Sequence, residues 1–144
     1  MRILLNGEAD LTVFELDSPG FEVEVAPGVH AHYSAMQRFA HSLALCTASV
    51  LVAYAEQIDA PTDSLAIRVR WEYVEPPFRI GRIDMQVYWP QLPESRLAAA
   101  QRAARHCTLH HTLERPPVVL TDVNLEPAPT LTQEKGAQPP APQP

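Results

Sequence analysis

Basic residues are few in this sequence of 144 residues, which has 11 Lys and Arg against 17 Asp and Glu and a formal net charge of −6. Nucleic-acid-binding surfaces usually carry a stripe of positive charge, so this balance argues against such a surface. No uninterrupted apolar run in the sequence reaches the roughly 18 residues that suggest a membrane span. The start, MRILLNGEAD, has one arginine and only a short apolar run, so we expect no signal peptide and a cytoplasmic location.

Cysteine is also scarce, with only Cys46 and Cys107 in the chain. Structural disulfides are rare in cytoplasmic proteins, so the two residues are expected to be either reduced members of a core or a redox pair. The five glycines form no phosphate-binding loop. The sequence therefore gives no sign of a nucleotide-binding sheet.

Hydrophobic periodicity predicts an α+β fold with mostly antiparallel pairing, in the order strands, helix, strands, helix, strand. Apolar residues alternate with polar ones in each predicted strand, and the alternation slips at Gly81, where we expect a β-bulge. The predicted strands are RILLN, LTVFEL, FEVEV, LAIRVRWEY, the segment 78–89 and the final PVVLTDVNLE.

Two helices are predicted between these strands. Ser34 and Gln37 have the spacing of a capping box, and the apolar residues that follow recur every three or four positions until about Gln57. The second helix is expected to run from Glu94 to Leu113 and to present a face of mostly small side chains that includes Cys107. Small side chains allow another element to approach closely.

The last 18 residues differ in composition from the rest. They include six prolines and almost no large apolar side chains, so they cannot bury enough surface to offset the entropy of ordering. We therefore predict a domain over residues 1–126 and an extended or disordered proline-rich tail over 127–144.

The two cysteines support three interpretations. If the two helices pack face to face, Cys46 and Cys107 could form a disulfide, which needs Cα atoms within about 7 Å. Both could instead be ordinary buried residues that behave as small hydrophobes. A zinc site would need His41, His110 or His111 as further ligands converging from two helices, and the chain has no Cys-x-x-Cys pair, so no metal is expected.

The segment SAMQRFAHSLALCTASVL resembles the central helix of the OsmC and organic hydroperoxide resistance proteins. LAIRVRWEY, PPFRIGRIDMQVYW and an Ala-rich helix that reaches HCTLHHTL follow in the family's order, so the resemblance covers about residues 34–125. It implies an intertwined homodimer that reduces organic hydroperoxides with a dithiol reductant and no cofactor. Cys46 would be the peroxidatic residue and Cys107 the resolving residue.

The sequence departs from the family at the groups that activate the peroxidatic thiol. The family uses a glutamate before the central helix and an arginine from the N-terminal strands, whereas here Gln37 or Met36 takes the place of the glutamate. Gln37, Arg38, His110 and His111 are the candidates for a supporting role. The alternative function is an OsmC-like dimer without peroxidase activity that binds a small apolar ligand.

Overall fold

One mixed sheet and a long helix make up most of the fold. The computed structural model describes residues 1–123 and 125, so the predicted tail over 127–144 lies outside the described residues. The five strands lie in the order β3-β1-β2-β4-β5. The elements are β1 (Arg2–Gly7), β2 (Asp10–Phe14), β3 (Glu22–Val25), α1 (Ala35–Ile58), β4 (Ala66–Val74), β5 (Arg79–Tyr88), a 3-10 turn (Glu94–Arg96), α2 (Leu97–Ala104) and α3 (Thr108–Glu114).

The predicted α+β class is confirmed, but the sheet is not purely antiparallel. β1–β2, β2–β4 and β4–β5 pair antiparallel, whereas β3 pairs parallel to β1. Arg2 at the start of β1 pairs with Phe14 at the end of β2 on one side and with Glu22 at the start of β3 on the other. The segment between β2 and β3 therefore crosses β1 near its first residue, and β3 then runs in the same direction as β1.

The β4–β5 hairpin contains the predicted bulge. Glu72 pairs with Arg82 and Tyr73 pairs with Ile80, so Gly81 is the extra residue on β5. A Cβ atom at Gly81 would lie 2.5 Å from Cγ1 of Val74, which is much closer than carbon atoms approach without repulsion. Glycine is therefore needed here because of the neighbouring side chain.

We predict that Gly81→Ala lowers the free energy of unfolding by about 1–3 kcal/mol, the usual cost of overpacking. The matched control is Gly7→Ala, because a Cβ atom at Gly7 would meet only Asp10 Cβ at 3.7 Å. Denaturant unfolding of both variants checks the prediction. Equal stability of the two variants would show that Val74 moves aside without cost.

Helix α1 begins and ends close to the predicted positions. Ser34 is its N-cap and forms the capping box with Gln37. The helix has 24 residues, and its most apolar window has a mean hydropathy of 1.3, which is long and apolar enough to cross a membrane by length and composition alone. In the fold, however, one face packs on the sheet. The buried apolar side chains of that face are Ala40, Leu43, Ala44, Ala48, Leu51 and Ala55.

The prediction of one continuous second helix was wrong. The structure has the 3-10 turn, α2 and α3 in its place, with a break at residues 105–107. The N–H groups of Arg105 and His106 bond to carbonyls three residues back, which tightens the end of α2. Cys107 is extended, with φ −65° and ψ 129°, and is the N-cap of α3.

The predicted last strand is also absent from the described residues. Residues 117–123 form no strand, while Asn124 and Glu126 lie outside the described residues. The side chains of Val118, Val119 and Leu120 are at least 80% exposed. The alternation of apolar residues therefore finds no pairing strand within this chain.

Candidate functional site

Cys46 and Cys107, the two residues of the predicted redox pair, lie close together in the structure. Cys46 lies on α1 and is partly exposed, whereas Cys107 lies at the junction of α2 and α3 and is fully buried. Both are free thiols, and they lie close enough for each to shift the pKa of the other. The pair thus links the central helix to the start of α3.

Small side chains and the helix break together produce this contact. α2 packs on α1 through Ala100, which is 6% exposed, and through Ala104, so the two backbones approach closely. The extended backbone of Cys107 then turns the chain into α3, which also packs on α1. The N–H groups of the first turn of α3 consequently point toward Cys46.

The surroundings of Cys46 favour its thiolate. Partial burial raises the pKa of this thiol, but hydrogen bonds from the Cys107 thiol and from the backbone N–H groups of Leu109 and Thr108 outweigh burial. The pKa of Cys46 is therefore lowered below its ordinary value. A lower pKa gives a larger fraction of the reactive thiolate at neutral pH.

The surroundings of Cys107 have the opposite effect. Burial and the hydrogen bond to Cys46 raise the pKa of Cys107. The backbone N–H of His110 and the side-chain hydroxyl of Thr47 lower it, but by less. The pair therefore combines a partly exposed thiol with a lowered pKa and a buried thiol with a raised pKa.

An open apolar cleft lies near the pair. Its volume is about 700 Å³, and it lies between the first half of α1, the bulged strand β5 and α3. Neither cysteine lines the cleft, but two of its lining residues neighbour the pair, because Leu43 lies one turn before Cys46 on α1 and the backbone N–H of His110 acts on Cys107. Its other lining residues include Met36, Phe39, Ile80, Ile83, Met85 and Leu113.

A second cleft continues the first along β5. Its volume is about 550 Å³, and Met85 and His110 line both clefts. Leu51, Val87 and Trp89 contribute most of its apolar wall together with side chains of α2. The two clefts make one face of the molecule concave and mostly apolar.

Gln37, the first of the proposed supporting residues, uses its side chain to form hydrogen bonds at the start of α1. It is 3% exposed, its Oε1 atom accepts a hydrogen bond from the Ser34 N–H at 3.1 Å, and its Nε2 atom donates to the Glu8 carbonyl at 2.6 Å. Gln37 thus ties the helix to the β1–β2 turn. The structure shows no hydrogen bond between Gln37 and either cysteine.

The other supporting candidates also have partners away from Cys46. The guanidinium of Arg38 lies over the ring of Tyr33, 4.9 Å from its centroid. The side chains of His110 and His111 approach Glu114 at 3.3 and 3.5 Å. Of these residues, only His110 reaches the pair, through its backbone N–H on Cys107.

Arg2, the arginine in the N-terminal strands, also interacts with residues other than Cys46. Arg2 forms ion pairs with Glu15, Glu22 and Glu24 and lies over the ring of Phe14. Cys46 therefore owes its lowered pKa to hydrogen bonds, and no cationic side chain of residues 1–123 contributes to it. This arrangement differs from the glutamate–arginine pair that the resemblance implies.

The described residues do not assemble a metal site. In residues 1–123 and at 125, no three His, Cys, Asp or Glu side chains lie close enough to hold a metal ion. His41 is buried, and its Nδ1 atom is hydrogen bonded to the Tyr33 hydroxyl at 2.6 Å. It belongs to an aromatic cluster with Tyr33 and Phe21 rather than to the cysteine pair.

Sequence reasoning missed Thr47 and the N–H groups of Thr108 and Leu109. Thr47 directly follows Cys46, but its role depends on a side-chain direction that a pattern of residues does not encode. The backbone donors are free because α3 begins after a break, and the first N–H groups of a helix have no partner within the helix. In the predicted continuous helix the same N–H groups would have been bonded to carbonyls four residues back.

Comparison with known proteins agrees with the arrangement of strands and helices. A family model described as OsmC-like protein matches residues 28–122. The fold is similar to the crystal structure of an OsmC-like hydroperoxide resistance protein from Jannaschia sp. CCS1, with a TM-score of 0.54 and 16% sequence identity over 64% of this chain and 67% of that one. No curated protein matches the sequence. The chain belongs to the OsmC-like family.

Proposed function

We propose that this protein is a thiol-dependent peroxidase that reduces organic hydroperoxides through Cys46 and Cys107. The observation that carries the proposal is the contact between an accessible cysteine with a lowered pKa and a buried cysteine with a raised pKa. A peroxidase of this type needs a thiolate to attack and a protonated thiol held in reserve. The hydroperoxide resistance protein of similar fold adds support.

The proposed reaction has three steps. The Cys46 thiolate attacks the peroxide, so that a sulfur–oxygen bond forms, the oxygen–oxygen bond breaks and the alkoxide leaves as an alcohol after gaining a proton. Cys107 then attacks the Cys46 sulfenic acid, which forms the disulfide and releases water. A dithiol reductant finally restores both thiols by exchange. No cofactor enters these steps.

The apolar cleft supports an organic substrate over hydrogen peroxide. Met36, Phe39 and Leu43 on α1 face Ile83 and Met85 on β5 across this cleft. An alkyl or aryl group gains free energy when such a surface removes it from water, and hydrogen peroxide has no such group. The substrate class is therefore an apolar hydroperoxide.

The proposal includes a homodimer in the cytoplasm. Val118, Val119 and Leu120 are exposed, and the apolar cleft is open to solvent. Contiguous exposed apolar surface of this kind commonly marks an interface. A second copy would cover both features and enclose the substrate, while a reducing compartment would keep both cysteines as thiols.

Treatment with one equivalent of an alkyl hydroperoxide tests the proposal. We expect both thiols to disappear and peptide mapping to recover one intramolecular disulfide between Cys46 and Cys107. The same amount of hydrogen peroxide should oxidise the pair more slowly. Persistence of both free thiols with either oxidant would contradict the proposed activity.

A second candidate is an OsmC-like dimer without peroxidase activity that binds a small apolar molecule. Two observations support it. Gln37 is hydrogen bonded at the start of α1 and not to Cys46, and no cationic side chain of residues 1–123 lowers the pKa of Cys46. Its expected result is saturable binding of an apolar fluorescent probe by a protein whose thiols resist the hydroperoxide. Blocking of the cleft by Leu113→Trp should then abolish probe binding, because Leu113 lines the cleft and is 43% exposed.

A further inference from the structure

We infer that Thr47 is a positioning residue for the second chemical step, in which its hydroxyl orients and stabilises the Cys107 thiolate as it attacks oxidised Cys46. This inference rests on the proposed peroxidase function. It assigns the two steps to different neighbours, because Thr108 and Leu109 act on Cys46 while Thr47 acts on Cys107.

The first observation is that the Thr47 hydroxyl does not bond to its own helix. Helical Ser and Thr side chains commonly bond to the carbonyl four residues back. On the same helix, Ser42 donates to the Arg38 carbonyl at 2.8 Å and Ser49 to the Leu45 carbonyl at 3.0 Å. Thr47 makes no such bond, so its hydroxyl is free to interact with another group.

The surroundings of that hydroxyl are the second observation. Thr47 and Cys107 are both 0% exposed, so no water reaches either. The Thr47 hydroxyl makes no hydrogen bond among the described residues, but it lies close enough to the Cys107 thiol to lower the pKa of that thiol. A neutral thiol is a weak hydrogen-bond acceptor, whereas a thiolate is a strong one. Loss of the Cys107 proton therefore gives this unpaired buried hydroxyl an acceptor.

The second step requires that loss. Cys107 must attack as a thiolate, so that the sulfur–sulfur bond forms, the sulfur–oxygen bond of the Cys46 sulfenic acid breaks and the departing hydroxide takes one proton to become water. Burial opposes the charged form of Cys107. A hydroxyl donor at this sulfur offsets part of that cost and holds the sulfur on the side that faces Cys46.

The test compares Thr47→Val, which has nearly the same shape but no hydroxyl, with the control Ser49→Ala on the exposed side of α1. In rapid mixing with one equivalent of an alkyl hydroperoxide, Thr47→Val is expected to consume peroxide at the wild-type rate. Disulfide formation should slow by about tenfold, as expected for one lost hydrogen bond to a charged group. A sulfenic-acid trapping reagent should then label Cys46 in this variant and far less in the control.

The pH profile separates this role from a packing effect. Loss of the hydroxyl should move the midpoint of disulfide formation to higher pH, because the Cys107 thiolate loses a donor. Thr47→Ser keeps a hydroxyl and should return the midpoint toward that of the wild type. Wild-type rate and midpoint in Thr47→Val would overturn the inference, whereas failure of the wild-type protein to consume peroxide would instead overturn the proposed function.

Discussion

Replacing Cys46 with serine is expected to lower the rate of hydroperoxide reduction by more than about a hundredfold, because the reacting thiolate is removed. A serine hydroxyl keeps its proton at neutral pH and is a far weaker nucleophile toward the peroxide bond. The measurement is hydroperoxide consumption with a dithiol reductant in excess. The fold should survive, because Cys46 is only partly buried and serine is nearly the same size.

Cys107→Ala provides the matched control, because it leaves the attacking sulfur in place. This variant should consume one equivalent of peroxide and then stop or slow, since its sulfenic acid has no resolving thiol. Loss of the thiol donor should also raise the pKa of Cys46, because the hydrogen bond from Cys107 is the largest of the effects that lower it. Alkylation of Cys46 should therefore require a higher pH than in the wild type.

The results of the two variants distinguish the candidate functions. Full activity in Cys46→Ser would exclude Cys46 as the attacking group. Repeated turnover at the wild-type rate in Cys107→Ala would show that the reductant reaches the sulfenic acid directly. An inactive wild-type protein with intact apolar binding would favour the ligand-binding candidate.

The elements that the sequence predicted best are those determined by local patterns. Helix α1 has a capping box at Ser34 and an apolar face, and both signals lie within the segment itself. The β4–β5 hairpin was predicted from alternation, and the slip at Gly81 located its bulge. Such features depend on residues only a few positions apart, so they can be predicted from one sequence.

The elements that the sequence predicted wrongly depend on distant contacts. Parallel pairing of β3 follows from the crossing of the chain at the start of β1, and the alternation in FEVEV is the same for either direction. The break at residues 105–107 has no proline or glycine to announce it. The segment 117–123 has a strand-like pattern but no partner strand among the described residues.

The sequence predicted part of the candidate site. Scarcity of cysteine singled out Cys46 and Cys107, and the resemblance gave them an order of action. Gln37 was a supporting candidate because of the resemblance, and His110 and His111 because of their spacing from Cys107. The structure instead places backbone N–H groups and the Thr47 hydroxyl near the sulfurs. These groups are found only from coordinates, because every residue has an N–H and its direction depends on the fold.

Leu51→Ala is expected to give the largest loss of stability among simple truncations of α1, about 2–5 kcal/mol. Leu51 is 1% exposed, belongs to the main apolar core and lies one turn beyond Thr47 on the same helix. Removal of its side chain leaves space that the packed surroundings refill only in part. For a domain of this size, the corresponding fall in Tm is on the order of 10 °C.

Leu45→Ala is the matched control, because Leu45 has the same side chain on the same helix but is 39% exposed. Its expected cost is below about 1 kcal/mol, since little of the truncated surface is removed from water on folding. Thermal unfolding of reduced protein measures both variants. An equal loss in the two would mean that a further surface, such as a second copy, covers the outer side of α1. At temperatures below its Tm, Leu51→Ala should still form the Cys46–Cys107 disulfide, because the helix that carries Cys46 remains folded.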